Sequence, residues 1–330
     1  MDKAIYEIIY GQKDLRIHVP LSSCTLAAGA REVYSAVKEF IDREGVEADI
    51  HRVGCMGLCY LDPWLMIAGK NSPAVIYVNV KSTDVEGIIK NYLKRNYTGA
   101  YAIRFKEGSG EYNVPLLETK PEWMHQVRFV SRNCGLVDPE SIDEYILTGG
   151  YSGLKKALGM KREEVIETIK KSGLRGRGGA GFPTWLKWKI TYEQKSDEKY
   201  VICNGDEGDP GAFMNRLLAE SDPHRVIEGL IIAGYAVGAS KGYVFVRAEK
   251  PLMADRLEKA VVEARKHGFL GENILGTDFS FDIEVYRSAG AFVCGEETAL
   301  IAAIEGRARP RQRPPYPATS GLWGKPTVVN

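Results

Sequence analysis

The sequence predicts an α/β protein of more than one domain, with a mostly parallel sheet in its C-terminal part. Three observations carry that expectation. Short apolar runs alternate with long amphipathic segments between residues 200 and 304, the pattern of parallel strands joined by helical crossovers. The first hundred residues show strand and helix signals on a smaller scale, as in a compact sheet with helices on its faces. Polar and glycine-rich motifs fall at the carboxyl ends of the later strands, where open α/β sheets hold ligands.

Taken in order, Leu15–Val19 reads as a strand and Ala27–Asp42 as a helix, with Val33, Ala36, Val37 and Phe40 on one face. Ile50–Val53, Trp64–Ile67 and Ala74–Val80 are short strand candidates, and Val85–Leu93 closes this unit as a helix. Residues 96–135 are less regular: Gly108-Ser109-Gly110 is a flexible spot, and Val114-Pro115 and Lys120-Pro121 favour extended chain, so this stretch reads as a linker. Asp138-Pro139-Glu140 has the form of a helix start, a capping residue followed by Pro. Helices follow near 152–159 and 162–171. After them come Tyr200–Cys203 (strand), Val226–Val237 (helix), Gly242–Arg247 (strand), Leu252–His267 (helix), Phe281–Tyr286 (strand) and a helix at about 297–304.

The composition is that of a soluble globular protein: 330 residues, 44% hydrophobic, 26% charged, net charge +1. So even a balance gives no basic surface for nucleic acid and none for acidic lipid. Met1-Asp2-Lys3-Ala4-Ile5-Tyr6-Glu7 has no apolar run of the secretory kind. The longest weakly polar run, Leu230–Ala239, is about half a membrane span. These readings imply a cytoplasmic protein whose six cysteines are not a disulfide framework.

The densest motif is Ser172–Phe182, which packs five glycines and two arginines into eleven residues. Glycines let main-chain amides approach a ligand closely, and amides at a helix start attract anions such as phosphate. The competing reading is a mobile loop. Gly176, Gly178 and Gly181 match the dinucleotide fingerprint G-x-G-x-x-G, but that fingerprint follows a strand. Here Val165, Ile166 and Ile169 mark a helix instead, so a Rossmann dinucleotide loop is the wrong context.

Three further motifs carry chemistry. Cys203–Gly211 sets Asn204, Asp206, Glu207 and Asp209 directly after a strand; carboxylates and an amide there suit the hydroxyls of a ribityl or ribose group, with an acidic turn or a cation site as alternatives. Ala289–Thr298 places Gly295, Glu296 and Glu297 at a helix start, which suits ligand approach or simple capping. Arg307, Arg309, Arg311 and Arg313, followed by Tyr316, form either a solvated basic loop or a grip on a dinucleotide.

Together these segments resemble the flavin-carrying NADH dehydrogenase subunit of respiratory complex I (the 51-kDa type) and its relatives in NAD-linked hydrogenases and formate dehydrogenases. The resemblance rests on Ser172–Trp188, Cys203–Arg216, Ala289–Ala299 and Ser320–Asn330, and covers residues 136–330. The front domain narrows it to beta subunits of soluble, multi-subunit hydrogenases and formate dehydrogenases, NAD-linked or electron-bifurcating, in which a thioredoxin-like [2Fe–2S] ferredoxin domain (here residues 1–95) precedes the flavin domain. It implies a Rossmann-like FMN- and NAD(H)-binding domain at 136–330 with a parallel sheet. Gly176, Arg177, Gly178, Gly179 and Lys187 would hold FMN, with the lysine near its phosphate. Asn204, Asp206 and Glu207 would bind the ribityl chain, Gly295, Glu296 and Glu297 would close the pocket, and Asn330 would approach the phosphate. Phe182 and Tyr316 would stack on adenine, with Asp209 and Glu297 on NADH; Ile190 stands where a further aromatic often occurs.

The implied activity is hydride transfer between NAD(H) and FMN, then single-electron transfer to iron–sulfur clusters on partner subunits, with bifurcation left open. The cofactor carries that chemistry, and no side-chain nucleophile is expected. The alternative is a non-catalytic scaffold that has lost its cofactors. No nucleic-acid partner and no membrane span are expected. In the front domain Cys24, Cys55 and Cys59 resemble the ferredoxin pattern, which needs four thiolates. Val19 stands at the remaining position, so either Cys134 or another group substitutes, or the cluster is lost. Cys134, Cys203 and Cys294 read as small buried residues. The chain stops at Asn330 inside the family motif, so a ubiquitin-like region and a [4Fe–4S] domain are expected beyond it, and 136–330 reads as a C-terminally truncated domain.

Overall fold

The computed structural model describes residues 3–102, 114–289 and 291–330. The flexible spot at Gly108-Ser109-Gly110 and the glycine at 290 lie outside the described residues. Helices are α1 (Lys3–Tyr10), α2 (Ser23–Ala27), α3 (Ala30–Glu44), α4 (Val85–Leu93), α5 (Pro121–Met124), α6 (Ile142–Leu147), α7 (Ser152–Leu158), α8 (Arg162–Ser172), α9 (Thr184–Glu193), α10 (Met214–Ser221), α11 (Pro223–Val237), α12 (Pro251–Lys266), α13 (Glu297–Ile304) and α14 (Pro317–Ser320). Strands are β1 (Leu15–Pro20), β2 (Ala48–Val53), β3 (Leu65–Gly69), β4 (Val75–Tyr77), β5 (Tyr101–Ala102), β6 (Tyr200–Asn204), β7 (Lys241–Arg247), β8 (Asp282–Ser288) and β9 (Thr327–Val329). The chain forms two compact units, Met1–Thr148 with Glu220–Asp222, and Gly149–Ala219 with Pro223–Asn330.

The first unit has a five-stranded sheet in the order β2-β1-β3-β4-β5. β1 and β2 are parallel, with Leu15 opposite Ala48, while β3 and β4 run antiparallel. Parallel neighbours need a crossover, and α3 supplies it. Its buried residues Ala30, Val33, Val37 and Phe40 recur at helical spacing. Val33, Val37 and Phe40 join Ile17, Val19, Leu65 and Ile67 in one core, and Gly45, at φ 64°, ends the helix in the left-handed conformation. A second core gathers Ile8, Ile9, Trp64, Met66 and Ile76. Buried His18 and His51 meet at 2.7 Å, and His51 continues to Glu144 at 2.9 Å. The helix expected at Asp138 begins later. Asp138 Oδ1 accepts from the amide of Glu140 at 2.9 Å, which makes a turn instead of a helix start. Ser141 is the cap, accepting from the amide of Glu144.

The second unit has a four-stranded sheet in the order β8-β7-β6-β9, parallel throughout. β7 is buried along its five inner residues, as a strand covered on both faces must be. Ile202, Tyr243, Phe245, Leu300, Leu322 and Val329 make one core of this unit. Chain order runs from β6 through β7 to β8, then returns to place β9 on the far side of β6. The topological switch point therefore lies between β6 and β9, at whose carboxyl ends an open α/β sheet leaves its ligand crevice. No described helix is long and apolar enough to cross a membrane.

Candidate flavin and metal sites

The crevice at the switch point is built from backbone first. The Asn204 amide donates to the Asn330 carbonyl at 2.7 Å, and the Asn330 amide to the Ile202 carbonyl at 2.9 Å. Asn204 and Asn330 thereby stand side by side at the ends of β6 and β9. Gly205 follows with its amide bonded to the Phe245 carbonyl at 2.9 Å; a Cβ there would lie 2.6 Å from that oxygen.

The glycine motif is a closed loop leading into α9. It is preceded by a helix, α8, whose C-cap is Gly173. Arg175 and Pro183 form an antiparallel bridge, and the Gly176 amide donates to the Phe182 carbonyl at 2.9 Å. Gly179 and Gly181 take φ of 109° and 63°, which β-carbon-bearing residues rarely adopt. A Cβ at Gly178, Gly179 or Gly181 would meet nothing within 4 Å, so the tip stands open. The preceding helix rules out the dinucleotide fingerprint that Gly176, Gly178 and Gly181 imitate.

Lys187, in the first turn of α9, turns its ammonium to Glu297 at 3.1 Å and to the Val329 carbonyl at 2.9 Å. One residue on, the Trp188 indole donates to Asn330 Oδ1 at 2.8 Å. Asn204 Nδ2 donates to the Gly295 carbonyl at 2.8 Å, and Asp206 Oδ2 is the nearest atom to a Cβ built on Gly295, at 3.2 Å. Helix α9, the ends of β6 and β9 and the Gly295–Glu297 turn thus converge. The Asp206 side chain is only 3% exposed, reaches Arg247 at 3.5 Å, and leaves Oδ1 without a hydrogen bond. Burial pushes its carboxyl pKa up, against the pull of Arg247. A buried carboxylate whose Oδ1 has Arg247 at 3.5 Å but no hydrogen bond, in a crevice that also holds the Lys187 ammonium, fits a ligand with hydroxyls and a phosphate.

Other expected residues have defined partners. Glu207 accepts from the amides of Asn215 and Arg216 and pairs with Lys250 at 2.8 Å, so it holds the start of α10. Glu296 caps α13 through the amides of Thr298 and Ala299, and Arg313 reaches it at 3.1 Å and Glu297 at 3.7 Å. Asp209 accepts from the Gly211 amide at 2.8 Å. Arg177 lies at the loop tip, exposed. Phe182 and Tyr316 stand 44% and 59% exposed, and Phe292, which sequence reasoning did not single out, is 73% exposed. Trp188, Arg247 and Lys250 were also missed; Arg247 ends a strand whose apolar run was legible, and that position was its one signal.

In the first unit, Cys24, Cys55, Cys59 and Asp62 bring one donor atom each within 4.8 Å of one another. Cys134 is outside this group, and Val19 is fully buried in the core. Cys55 Sγ donates to Asp62 Oδ2 at 3.8 Å and accepts from the Gly57 amide at 3.2 Å. The hydrogen bond to Cys24 and burial hold the Cys55 thiol far above its usual range. Burial lifts Asp62 to about 6.

Residues 169–330 match the family model described as the Nuo51 FMN-binding domain. NADP-reducing hydrogenase subunit HndC of Solidesulfovibrio fructosivorans is 58% identical over 206 residues, which are 62% of this chain and 42% of that protein. An NADH-quinone oxidoreductase subunit of Aquifex aeolicus is 56% identical over 191 residues, 58% of this chain and 45% of that one. Among solved structures, an NAD+-reducing [NiFe]-hydrogenase in the H2-reduced state aligns over 97% of this chain and 51% of its own, with a TM-score of 0.51 and 25% identity. The chain spans about half the length of the relatives it matches. Residues 169–330 are thus similar to the FMN-binding domain of complex I 51-kDa-type subunits and of their hydrogenase relatives.

Proposed function

We propose that the second unit is the NADH-oxidising FMN module of a cytoplasmic multi-subunit oxidoreductase. The observation that carries this reading is the meeting of Lys187, Asn204, Asp206, Glu297 and Asn330 at the switch point of a parallel sheet, beside an open glycine loop. The family match at 169–330 and the names of the relatives support it.

When bound, FMN would accept a hydride from reduced nicotinamide and release the electrons one at a time. The protein's residues bind and orient. Amides at Gly178 and Gly179, with Arg177 and the Lys187 ammonium, would hold the phosphate, Gly176 would shape the loop through its bond to the Phe182 carbonyl, and Asn330 would fix the wall behind it. Asn204 and Asp206 hold the ribityl hydroxyls, with Glu207 keeping their loop in place through Lys250. Gly295 keeps the flavin face clear of a side chain, and Glu296 and Glu297 fix the opposite rim. Exposed Phe182 and Tyr316 offer rings to the adenine of NADH, with Asp209 and Glu297 near its polar groups. The electrons would pass to iron–sulfur subunits of a hydrogenase, formate dehydrogenase or related complex. In the first unit, the parallel β1-α3-β2 crossover followed by antiparallel β3 and β4 and by α4 supports a thioredoxin-like domain.

The test is bound FMN and NADH–ferricyanide reductase activity of the purified chain. Lys187→Ala is expected to lower FMN occupancy. Phe182→Ala is expected to raise KM for NADH and leave FMN content unchanged. A chain that binds no FMN and reduces no ferricyanide is a scaffold, and the reading fails.

A further inference from the structure

The front-domain site has four protein donors after all. An iron–sulfur centre of the ferredoxin kind takes four protein ligands, two on each iron, and a single thiophilic ion also takes four. Val19, at the position where the family thiolate is missing, is fully buried in the apolar core and offers no donor. Cys134 is not among the donors that cluster there. The remaining donor beside the three thiols is a carboxylate. We propose that Asp62 is a metal ligand, completing with Cys24, Cys55 and Cys59 a centre of three thiolates and one carboxylate.

Three features support this assignment. The four donor atoms lie within 4.8 Å of one another, the span of a shared coordination sphere. Asp62 is 8% exposed, with Oδ2 directed to Cys55 Sγ and Oδ1 without any hydrogen-bond partner. A buried carboxylate oxygen left unpaired is unfavourable, and a cation bound there removes that penalty. The site is also braced. The Cys55 amide donates to Ser22 Oγ at 2.8 Å, tying the segment of Cys24 to that of Cys55. Ser23 is held to Glu220 through its amide at 2.8 Å and its hydroxyl at 2.5 Å. Arg128 donates to the Met56 carbonyl at 2.8 Å and sets a positive charge near Cys55 and Cys134. Hydrogen bonds that fix the ligand-bearing segments, and a nearby cation, are what an anionic thiolate centre requires.

The same donor set suits one divalent ion or an iron–sulfur core, and metal analysis distinguishes them. The chain is purified anaerobically and assayed for zinc, iron and labile sulfide. Labile sulfide with iron denotes the cluster, and one ion without sulfide denotes the single-metal form. In either form the ligand assignment is read from Asp62→Ala and Asp62→Cys. Asp62→Ala is expected to lose metal at least about tenfold more readily to a chelator. Asp62→Cys is expected to keep the metal with a changed thiolate-to-metal charge-transfer spectrum, read on the native centre for iron and on the cobalt-substituted protein for zinc. Because Asp62→Cys keeps four donors, a folding failure of Asp62→Ala does not remove the test. Metal content and spectrum unchanged in both variants would overturn the proposal, as would a wild-type chain that takes up neither iron, zinc nor cobalt at this site.

Discussion

Gly205 shows how tightly the crevice is fixed at single residues. It leaves β6 with its amide on the Phe245 carbonyl, and a Cβ would lie 2.6 Å from that oxygen and 3.0 Å from Met253 Cε. Backbone cannot retreat as a flexible side chain does. Gly205→Ala is therefore expected to destabilise the chain by about 1–3 kcal/mol, read as a lower urea midpoint, and to widen the gap between the ends of β6 and β7. Part of this residue scale was legible. Asn204, Asp206 and Glu297 were readable from their motifs because those motifs sit at strand and helix ends, whereas Lys187 came only from the family resemblance. Asp62 was not. A single Asp before a Pro has no spacing signal until the fold carries it to Cys24, Cys55 and Cys59.

Helix α13 couples element stability to the site. Glu296 accepts from the amides of Thr298 and Ala299, satisfying two of the donors a helix start leaves open. It also anchors Arg313. Glu296→Ala is expected to cost roughly 1 kcal/mol in unfolding free energy, the usual worth of a cap, and Glu296→Asp less, measured by chemical denaturation. Among the elements, β6, β7, β8, α8, α11 and α12 were visible as apolar runs or helical periodicity. Helix α9 was not, because its buried face includes Thr184 and Thr191 beside Trp188 and so lacks an apolar stripe. Strand β9 has only three residues, too few for a pattern, although it makes one wall of the crevice. Asp138-Pro139-Glu140 misled for a different reason: a side chain able to cap a helix is equally able to close a turn.

Over the whole molecule, buried histidines set the response to acid. His224 Nδ1 shares a hydrogen bond with the Tyr151 hydroxyl at 2.9 Å, and burial lowers its pKa to about 4, with Glu263 pulling it up and His267 pushing it down. An unfolded histidine titrates near ~6.5. The neutral native form therefore contributes stability that is full above pH ~6.5 and is lost as pH falls toward about 4, amounting to roughly 3 kcal/mol. Burial lowers His18 as well, so the wild type is expected to weaken steeply across that range, and His224→Gln to weaken less. Urea midpoints taken at intervals from neutral pH down to about pH 4 check this; parallel curves would remove His224 from this role.

The same parallel sheet places the flavin crevice, and flavin binding is the claim on which the function rests. The direct measurement is titration of the flavin-free chain with FMN, followed by quenching of flavin fluorescence. Saturable binding of about one FMN per chain is expected, weakened at least about tenfold by Lys187→Ala, which removes the cation beside the loop. Fluorescence that stays unquenched, or an equal affinity in Lys187→Ala, would contradict it.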